Sequence, residues 1–79
     1  MIAEMKKKRF PNLEAEMARK RVMKSDLANL LHRTNSVITT RMDGTSDWIF
    51  WELKAIKQFL GTNMTIDELF DEEVIEGDN

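Results

Sequence analysis

The chain has 79 residues, of which 42% are apolar and 33% charged, and it carries a formal net charge of -2. A chain of this length forms one small domain without a second core, and the absence of cysteine excludes disulfides and thiolate metal sites. No apolar run approaches the roughly 20 residues of a membrane span, and the N-terminus lacks the apolar segment of a signal peptide, so we expect a cytoplasmic protein without a membrane partner.

The charges are divided unevenly between the two halves of the chain. Residues 1–44 contain ten basic and five acidic side chains, a net charge of +5, whereas residues 45–79 contain two basic and nine acidic side chains, a net charge of -7. A polyanion would therefore bind the first half and be repelled by the second. Solvated helices also carry such imbalances, so charge alone leaves an ordinary solvated surface as the alternative to nucleic-acid binding.

The first predicted helix follows a basic N-terminal arm. Residues 1–11 contain the run Lys6–Arg9, whose like charges favour a frayed arm or a loose helical turn. Pro11 breaks the preceding structure and Asn12 is a suitable N-cap, which predicts a scaffold helix over about residues 13–22. The arm either lies along phosphates or serves only to keep the chain soluble.

Two short helices joined by a tight turn are predicted next. Ser25 can cap a helix over residues 26–31, whose three leucines form its apolar face. His32 occupies the turn, where positive φ favours Gly and then Asn, Asp or His. No second histidine and no cysteine accompany this imidazole, so a role as metal ligand or general base has little support. Thr34 then caps a third helix over residues 35–42.

The third helix has an unusually polar face. Its apolar residues are Val37, Ile38 and Met42, and the others are Asn, Ser, Thr and Arg, a composition with poor helix propensity. These side chains suit base edges, because Asn pairs bidentately with adenine, hydroxyls donate or accept, and a Thr methyl contacts the thymine methyl. An ordinary solvated face is the alternative, although such faces more often carry Glu and Lys. Asp43–Gly44 predicts a left-handed cap at the end of the helix.

A fourth helix is predicted to begin in the most apolar run of the chain, Trp48–Trp51. Phe50 falls on one helical stripe with Leu53, Ile56, Phe59 and Leu60, and Gly61 ends the helix. Trp48 and Phe50 are accordingly predicted to be core residues.

Trp51 is the aromatic residue that is expected to leave the core. It lies about 100° from Phe50 around the helix, so we expect partial exposure, either as a dimer anchor or packed under the N-terminal arm. Thr65 caps a short last helix whose apolar side chains close the core. The acidic tail, residues 71–79, is predicted to be mostly disordered, or ordered only at a subunit interface.

A set of motifs runs through residues 12–70, namely Leu27-Ala28, Leu31, the turn at His32, Thr34–Ile38, Gly44, Trp48, Phe50, Glu52, Ile56, Phe59-Leu60 and Ile66–Phe70. The combination resembles the lambda repressor and Cro family of phage and prophage helix-turn-helix proteins, in particular the short members from prophages of Gram-positive bacteria. The resemblance implies an all-α fold, a compact bundle of five short helices in which the second and third form the helix-turn-helix. It also implies binding to double-stranded operator DNA as a homodimer, repression of transcription, and no cofactor or small-molecule substrate. The chain would comprise a basic arm (1–11), a DNA-binding domain (12–70) and an acidic tail (71–79).

The resemblance also assigns roles to individual residues. Asn35, Ser36 and Thr40 would face base edges, with Thr39 close by. Lys24 and Thr34 would contact phosphate, and Thr45 and Ser46 would lie near the sugar-phosphate backbone. Independently of the resemblance, the residues themselves add Arg33 and Arg41 as phosphate-binding candidates and Trp51, Ile66 and Phe70 as a candidate dimer interface.

Three residues depart from the family pattern. His32 replaces the usual glycine, Arg33 replaces a usual aliphatic residue, and Arg41 stands where many members have an apolar residue. If the two arginines point outward, each adds close to one unit to the salt dependence of DNA binding.

A protein-interaction module on a helix-turn-helix scaffold is the alternative function. It would bind a partner protein through Trp51, the last helix and the acidic tail, with weak or no DNA binding. The acidic second half, and a third helix poor in Gln, Lys and Arg, favour this alternative. An enzyme is not expected, because the chain lacks a paired acid-base set, a phosphate loop and metal-ligand spacing.

Overall fold

The computed structural model describes residues 7–75; residues 1–6 and 76–79, which belong to the predicted arm and tail, lie outside the described residues. The described part contains β1 (Lys7–Arg9), α1 (Pro11–Lys20), α2 (Lys24–Leu31), α3 (Asn35–Met42), α4 (Phe50–Leu60), α5 (Ile66–Leu69) and β2 (Glu73–Ile75). The helices enclose one core, and the Cα radius of gyration is 13.0 Å. The prediction of a compact, mainly helical bundle with five short helices is thus confirmed for residues 7–75.

The two strands are the part of the fold that the sequence did not predict. β1 pairs antiparallel with β2 and places Arg9 opposite Glu73, and the backbone N–H of Lys8 donates to the carbonyl of Asp43 at 3.0 Å. Arg9 and Glu73 form the one opposite-charge pair across the two strands, since Lys7 and Lys8 lie opposite Ile75 and Val74. Residues 7–9 and 73–75 thus form strands, where a frayed arm or loose helical turn and a mostly disordered tail were predicted.

α1 begins without the predicted side-chain cap. Phe10, not Asn12, is the N-cap residue, and Pro11 takes the first helical position, where its missing N–H leaves no hydrogen bond unmade. The Asn12 side chain instead donates from Nδ2 to the carbonyl of Glu68 at 2.7 Å. This contact ties α1 to α5.

α2 also begins two residues earlier than predicted. It starts at Lys24 after the N-cap residue Met23, whose N–H donates to the Asp26 carboxylate at 2.8 Å. Ser25 is therefore a helical residue and not the cap. Leu27 and Leu31 are buried and pack in the core as predicted, and Leu30 packs against its edge.

The turn between α2 and α3 has the predicted geometry. His32 is left-handed, with φ 56° and ψ 44°. Thr34 Oγ1 accepts a hydrogen bond from the Val37 N–H at 3.2 Å, and α3 has the predicted bounds. Gly44, with φ 84°, supplies the left-handed residue that follows the helix.

α4 buries a different stripe from the predicted one. Glu52, Ile56 and Leu60, at four-residue intervals, are at most 2% exposed, whereas Phe50 is 65% and Phe59 48% exposed. The prediction that Phe50 lies in the core is wrong, because the buried stripe of α4 begins at Glu52 and not at Phe50. Gly61 ends the helix in a left-handed conformation, as predicted.

The core is assembled from all five helices and the residue before α1, namely Phe10, Leu13, Met17, Leu27, Ala28, Leu31, Ile38, Ile56, Leu60 and Leu69. Trp48 packs at its edge, with its ring 5.5 Å from that of Phe70 and 6.3 Å from that of Phe10 in edge-on arrangements. Thr65 caps α5 as predicted, since its Oγ1 accepts from the Glu68 N–H at 3.1 Å. α3 is thus held against the core chiefly through buried Ile38.

Candidate nucleic-acid interface

The outer face of α3 presents neutral polar side chains to solvent. Asn35, Ser36 and Thr39 are exposed, and none of the hydrogen bonds among residues 7–75 engages their side chains. Val37 is half-buried and Ile38 fully buried on the opposite side. The face predicted to read bases is therefore accessible at three of its four positions.

Thr40, the fourth predicted base-reading residue, is turned toward the protein. Its Oγ1 donates to the carbonyl of Val37 at 2.9 Å and lies 2.9 Å from Ser46 Oγ. Both side chains are half-buried. Thr40 and Ser46 thus form the join between α3 and the loop that follows it, and they present less surface to a ligand than Thr39.

Glu52 occupies the centre of a buried ionic network behind α3. Its side chain is 0% exposed. Its carboxylate accepts from Arg33 Nε at 3.1 Å, from Arg41 Nε at 3.0 Å and Nη2 at 3.3 Å, and from the Ile49 N–H at 3.0 Å. Arg41 Nη1 continues the network by donating to Ser46 Oγ at 3.1 Å. One carboxylate therefore joins the start of α4 to both ends of α3.

The network decides where the two unusual arginines point. The side chain of Arg41 is only 13% exposed and that of Arg33 is 34% exposed, and the Arg33 guanidinium also lies 6.0 Å from the centre of the Trp51 ring. The outward orientation on which their predicted phosphate contacts depended is not what the structure contains. Both arginines are turned toward Glu52.

The environment of Glu52 favours its ionised form. Burial alone would raise the pKa of this carboxyl, but the hydrogen bond from the Ile49 N–H and the interactions with Arg41 and Arg33 outweigh it. The pKa of Glu52 therefore lies below its ordinary value, and the carboxylate stays charged at neutral pH.

The remaining predicted phosphate contacts lie around α3. Lys24 is exposed at the first position of α2, and Thr34 is exposed at the N-cap of α3. Thr45 is exposed, but its N–H and its hydroxyl both donate to Asp43 Oδ1, at 3.0 and 2.6 Å. Lys24 is accordingly the most available cation among the predicted contacts.

A basic cleft of about 420 Å³ adjoins the outer face of α3. Its wall is formed by β1, by the first turns of α1 and α2, and by α3. The lining residues are Lys8, Arg9, Glu14, Lys24, Thr39, Met42 and Asp43. Thr39 belongs both to this cleft and to the exposed face of α3. β1 thus brings two basic residues of the predicted arm to the same side of the molecule as the polar helix.

An acidic cleft of about 620 Å³ lies on the other side of β1. It is lined by Lys8, Phe10, Gly44, Ser46, Asp47, Trp48, Leu53, Ile66, Asp67, Phe70, Asp71 and Glu72. Trp48 Nε1 is buried without a hydrogen-bond partner in the described part of the chain. The cleft next to α3 is lined by three basic and two acidic residues, whereas the cleft next to α5 is lined by one basic and four acidic residues.

Comparison with known proteins finds no relative for this chain. No model of a known protein family matches it, and neither the characterised proteins nor the solved structures that were searched include a match. The resemblance to the repressor and Cro family therefore stays a prediction from the motifs.

The predicted dimer residues are only partly available on the surface. Trp51 is 46% exposed, in agreement with the predicted partial exposure, whereas Ile66 and Phe70 are half-buried and Phe70 packs on Trp48. α4 and the residue before it expose further apolar side chains that the sequence analysis placed in the core or did not single out: Ile49, Phe50 and Phe59. No helix within residues 7–75 is long and apolar enough to cross a membrane.

Glu52 is the important residue of this site that the sequence analysis did not recognise. Two signals pointed to it: it lies three residues after Ile49 at the start of α4, where a carboxylate can accept from the first backbone N–H, and it begins the stripe that continues through Ile56 and Leu60. A burial pattern that counts only apolar residues passes over both signals.

Proposed function

We propose that this protein is a sequence-specific double-stranded DNA-binding regulator of transcription, in the manner of a phage repressor or Cro protein, acting in the bacterial cytoplasm. One observation carries the proposal. α3 exposes Asn35, Ser36 and Thr39 beside the basic cleft that holds Lys24, so base-reading groups and a phosphate-binding group share one side of the molecule.

The proposed mechanism needs no chemical step. The basic side of the molecule is steered toward DNA, and α3 enters the major groove, which admits one helix. Asn35 pairs with a base edge, Ser36 and Thr39 contact neighbouring bases, and Lys24 binds a phosphate at the groove edge. Occupancy of the operator then blocks transcription.

A homodimer completes this proposal. Two copies would read half-sites about one helical turn, roughly 34 Å, apart. The exposed aromatic side chains of α4 support this part, because Phe50, Trp51 and Phe59 are 65%, 46% and 48% exposed. Large exposed aromatic residues are typical anchors of protein interfaces.

The test of DNA reading is a selection from random duplexes followed by titration of the selected site. Asn35→Ala is expected to weaken binding to that site by about 5- to 160-fold, the equivalent of 1–3 kcal/mol for a bidentate base contact. Binding to a random duplex should stay unchanged. Asn63→Ala is the matched control, because Asn63 is also exposed but lies in the loop before α5.

Lys24→Gln tests the phosphate contact separately. It should weaken binding to specific and random duplexes alike and lower the slope of log K against log salt by about 0.9. A wild-type protein that retards no duplex at about 50 mM salt would overturn the DNA-binding proposal.

A protein-interaction module is the second candidate function. The observation in its favour is the same exposed set on α4, with Phe50 65% and Trp51 46% exposed. Sedimentation of the wild type and of Trp51→Ala separates the cases. A dimer that the variant loses supports the repressor arrangement, whereas a monomeric wild type that binds no DNA supports a role in binding another protein.

A further inference from the structure

The charge beside the DNA-facing helix is lower than the sequence indicates. Arg33 precedes α3 and Arg41 lies in its last turn, so the two arginines come from opposite ends of the helix while their guanidinium groups meet at Glu52. Glu52 pairs with both, at 3.1 and 3.0 Å. The three charges together amount to +1 instead of +2, and the carboxylate itself is fully buried.

The pairing also restricts where the arginines can reach. Arg41 uses Nε and Nη2 on Glu52 and Nη1 on Ser46, so each of its three nitrogens already has an acceptor. Arg33 uses Nε on Glu52, and its guanidinium lies at the Trp51 ring. A phosphate would have to displace these contacts before it could bind Arg41. Arg33 keeps Nη1 and Nη2 without a hydrogen bond among residues 7–75, but its bond to Glu52 and its position at the Trp51 ring hold its guanidinium on the α4 side.

We propose that Glu52 is a specificity-determining positioning residue, which holds Arg33 and Arg41 away from DNA phosphates and so limits non-specific binding. The inference rests on the proposed DNA-binding function and deepens it. Non-specific affinity depends on the number of phosphates that cations neutralise, whereas discrimination depends on base contacts. Withholding two arginines lowers the non-specific affinity and leaves discrimination between sequences to Asn35, Ser36 and Thr39.

Glu52→Gln is the direct test. The amide keeps the volume of the side chain and an oxygen for the Ile49 N–H, but it removes the charge that holds the arginines. With both arginines released, the salt slope on a random duplex should steepen by about 1.8. The variant should therefore lose about 12-fold more affinity than the wild type between 50 and 200 mM salt, and its preference for the selected site should fall.

Glu16→Gln is the matched control. Glu16 is also buried, at 3% exposure, and also pairs with an arginine, Arg19 at 2.8 Å, but it lies on α1 beside the loop after α4. Glu16→Gln makes the same change in net charge as Glu52→Gln, but the slope of log K against log salt on a random duplex should stay at the wild-type value. An equal steepening in both variants would assign the effect to total charge and overturn the inference.

Arg33→Gln tests whether Arg33 is held away from phosphate, even if Glu52→Gln fails to fold. Because Arg33 is withheld from phosphate, its loss should leave the slope on a random duplex unchanged. A decrease of about 0.9 would show that Arg33 already binds phosphate and would overturn the inference.

The inference and the proposed function fail in different ways. A folded Glu52→Gln that gains no non-specific affinity overturns the inference, whatever the wild type binds. A wild type that binds no duplex overturns the proposed function, yet a gain of binding in Glu52→Gln would still support the withholding role of Glu52.

Discussion

Replacing Glu52 by glutamine should also destabilise the fold by a large fraction of its total stability. The neutral side chain leaves Arg41, whose side chain is only 13% exposed, without a counter-charge. An arginine that stayed buried would cost about 3–5 kcal/mol, but the released arginines can turn to solvent. We therefore expect a loss of about 1–3 kcal/mol out of the roughly 3–5 kcal/mol that the core of such a domain supplies. A loss of about 2 kcal/mol corresponds to a fall in Tm of about 8–16 °C.

Urea and thermal unfolding followed by circular dichroism would measure this loss. Glu72→Gln is the control, because the Lys8–Glu72 pair has side chains 35% and 45% exposed and such surface pairs contribute at most about 1 kcal/mol. In a double-mutant cycle, Glu52→Gln and Arg41→Gln should couple by about 1–3 kcal/mol. If Glu52→Gln lies within about 1 kcal/mol of the wild type, the network is no stronger than a surface pair and the reasoning is refuted.

Three further predictions concern the turns and acid stability. His32→Gly should stabilise the protein by about 0.5–1 kcal/mol in urea unfolding, because His32 has φ 56° and only Gly adopts that conformation without strain; an unchanged stability would contradict this. Gly44→Ala should cost at least about 2 kcal/mol, since an added Cβ lies 2.6 Å from the Lys8 Cβ; Gly61→Ala, which meets nothing within 4 Å, should cost less and serves as its control. The pKa of Glu52 is lowered in the folded state, so its ionised form stabilises the fold above the unfolded-state pKa of about 4.3. This stability is lost as the pH falls through the folded-state pKa. In Glu52→Gln, the free energy of unfolding should therefore fall less steeply with pH below about pH 4.

The turn and α3 could be predicted from sequence because local chemistry determines them. Thr34 caps α3, and the positive φ values of His32 and Gly44 fit the few residue types that tolerate that conformation. The starts of α1 and α2 were less predictable. Asn12 and Ser25 are good caps in isolation, but the Asn12 side chain donates to the distant carbonyl of Glu68, and the local bond from the Met23 N–H to Asp26 starts α2 before Ser25.

The exposed polar face of α3 was predictable where exposure follows from helix phase, as for Asn35, Ser36 and Thr39. The orientation of the two arginines depended instead on their pairing with a residue that is distant in sequence. Nothing local indicates that Arg33 and Arg41 converge on Glu52, and without that pairing a buried carboxylate is too costly to expect. Because Glu52 was not expected to be buried, the stripe of α4 was predicted to include Phe50.

The pairing of β1 with β2 has a consequence for how the protein folds. Arg9 and Glu73 are partners 64 positions apart, whereas α2 and α3 meet across a short turn. Closing so long a loop costs entropy that only a largely assembled bundle can offset. The two strands should therefore join last and separate first, and the amide of Arg9, which lies opposite Glu73, should exchange with solvent deuterium faster than the buried amides of α2.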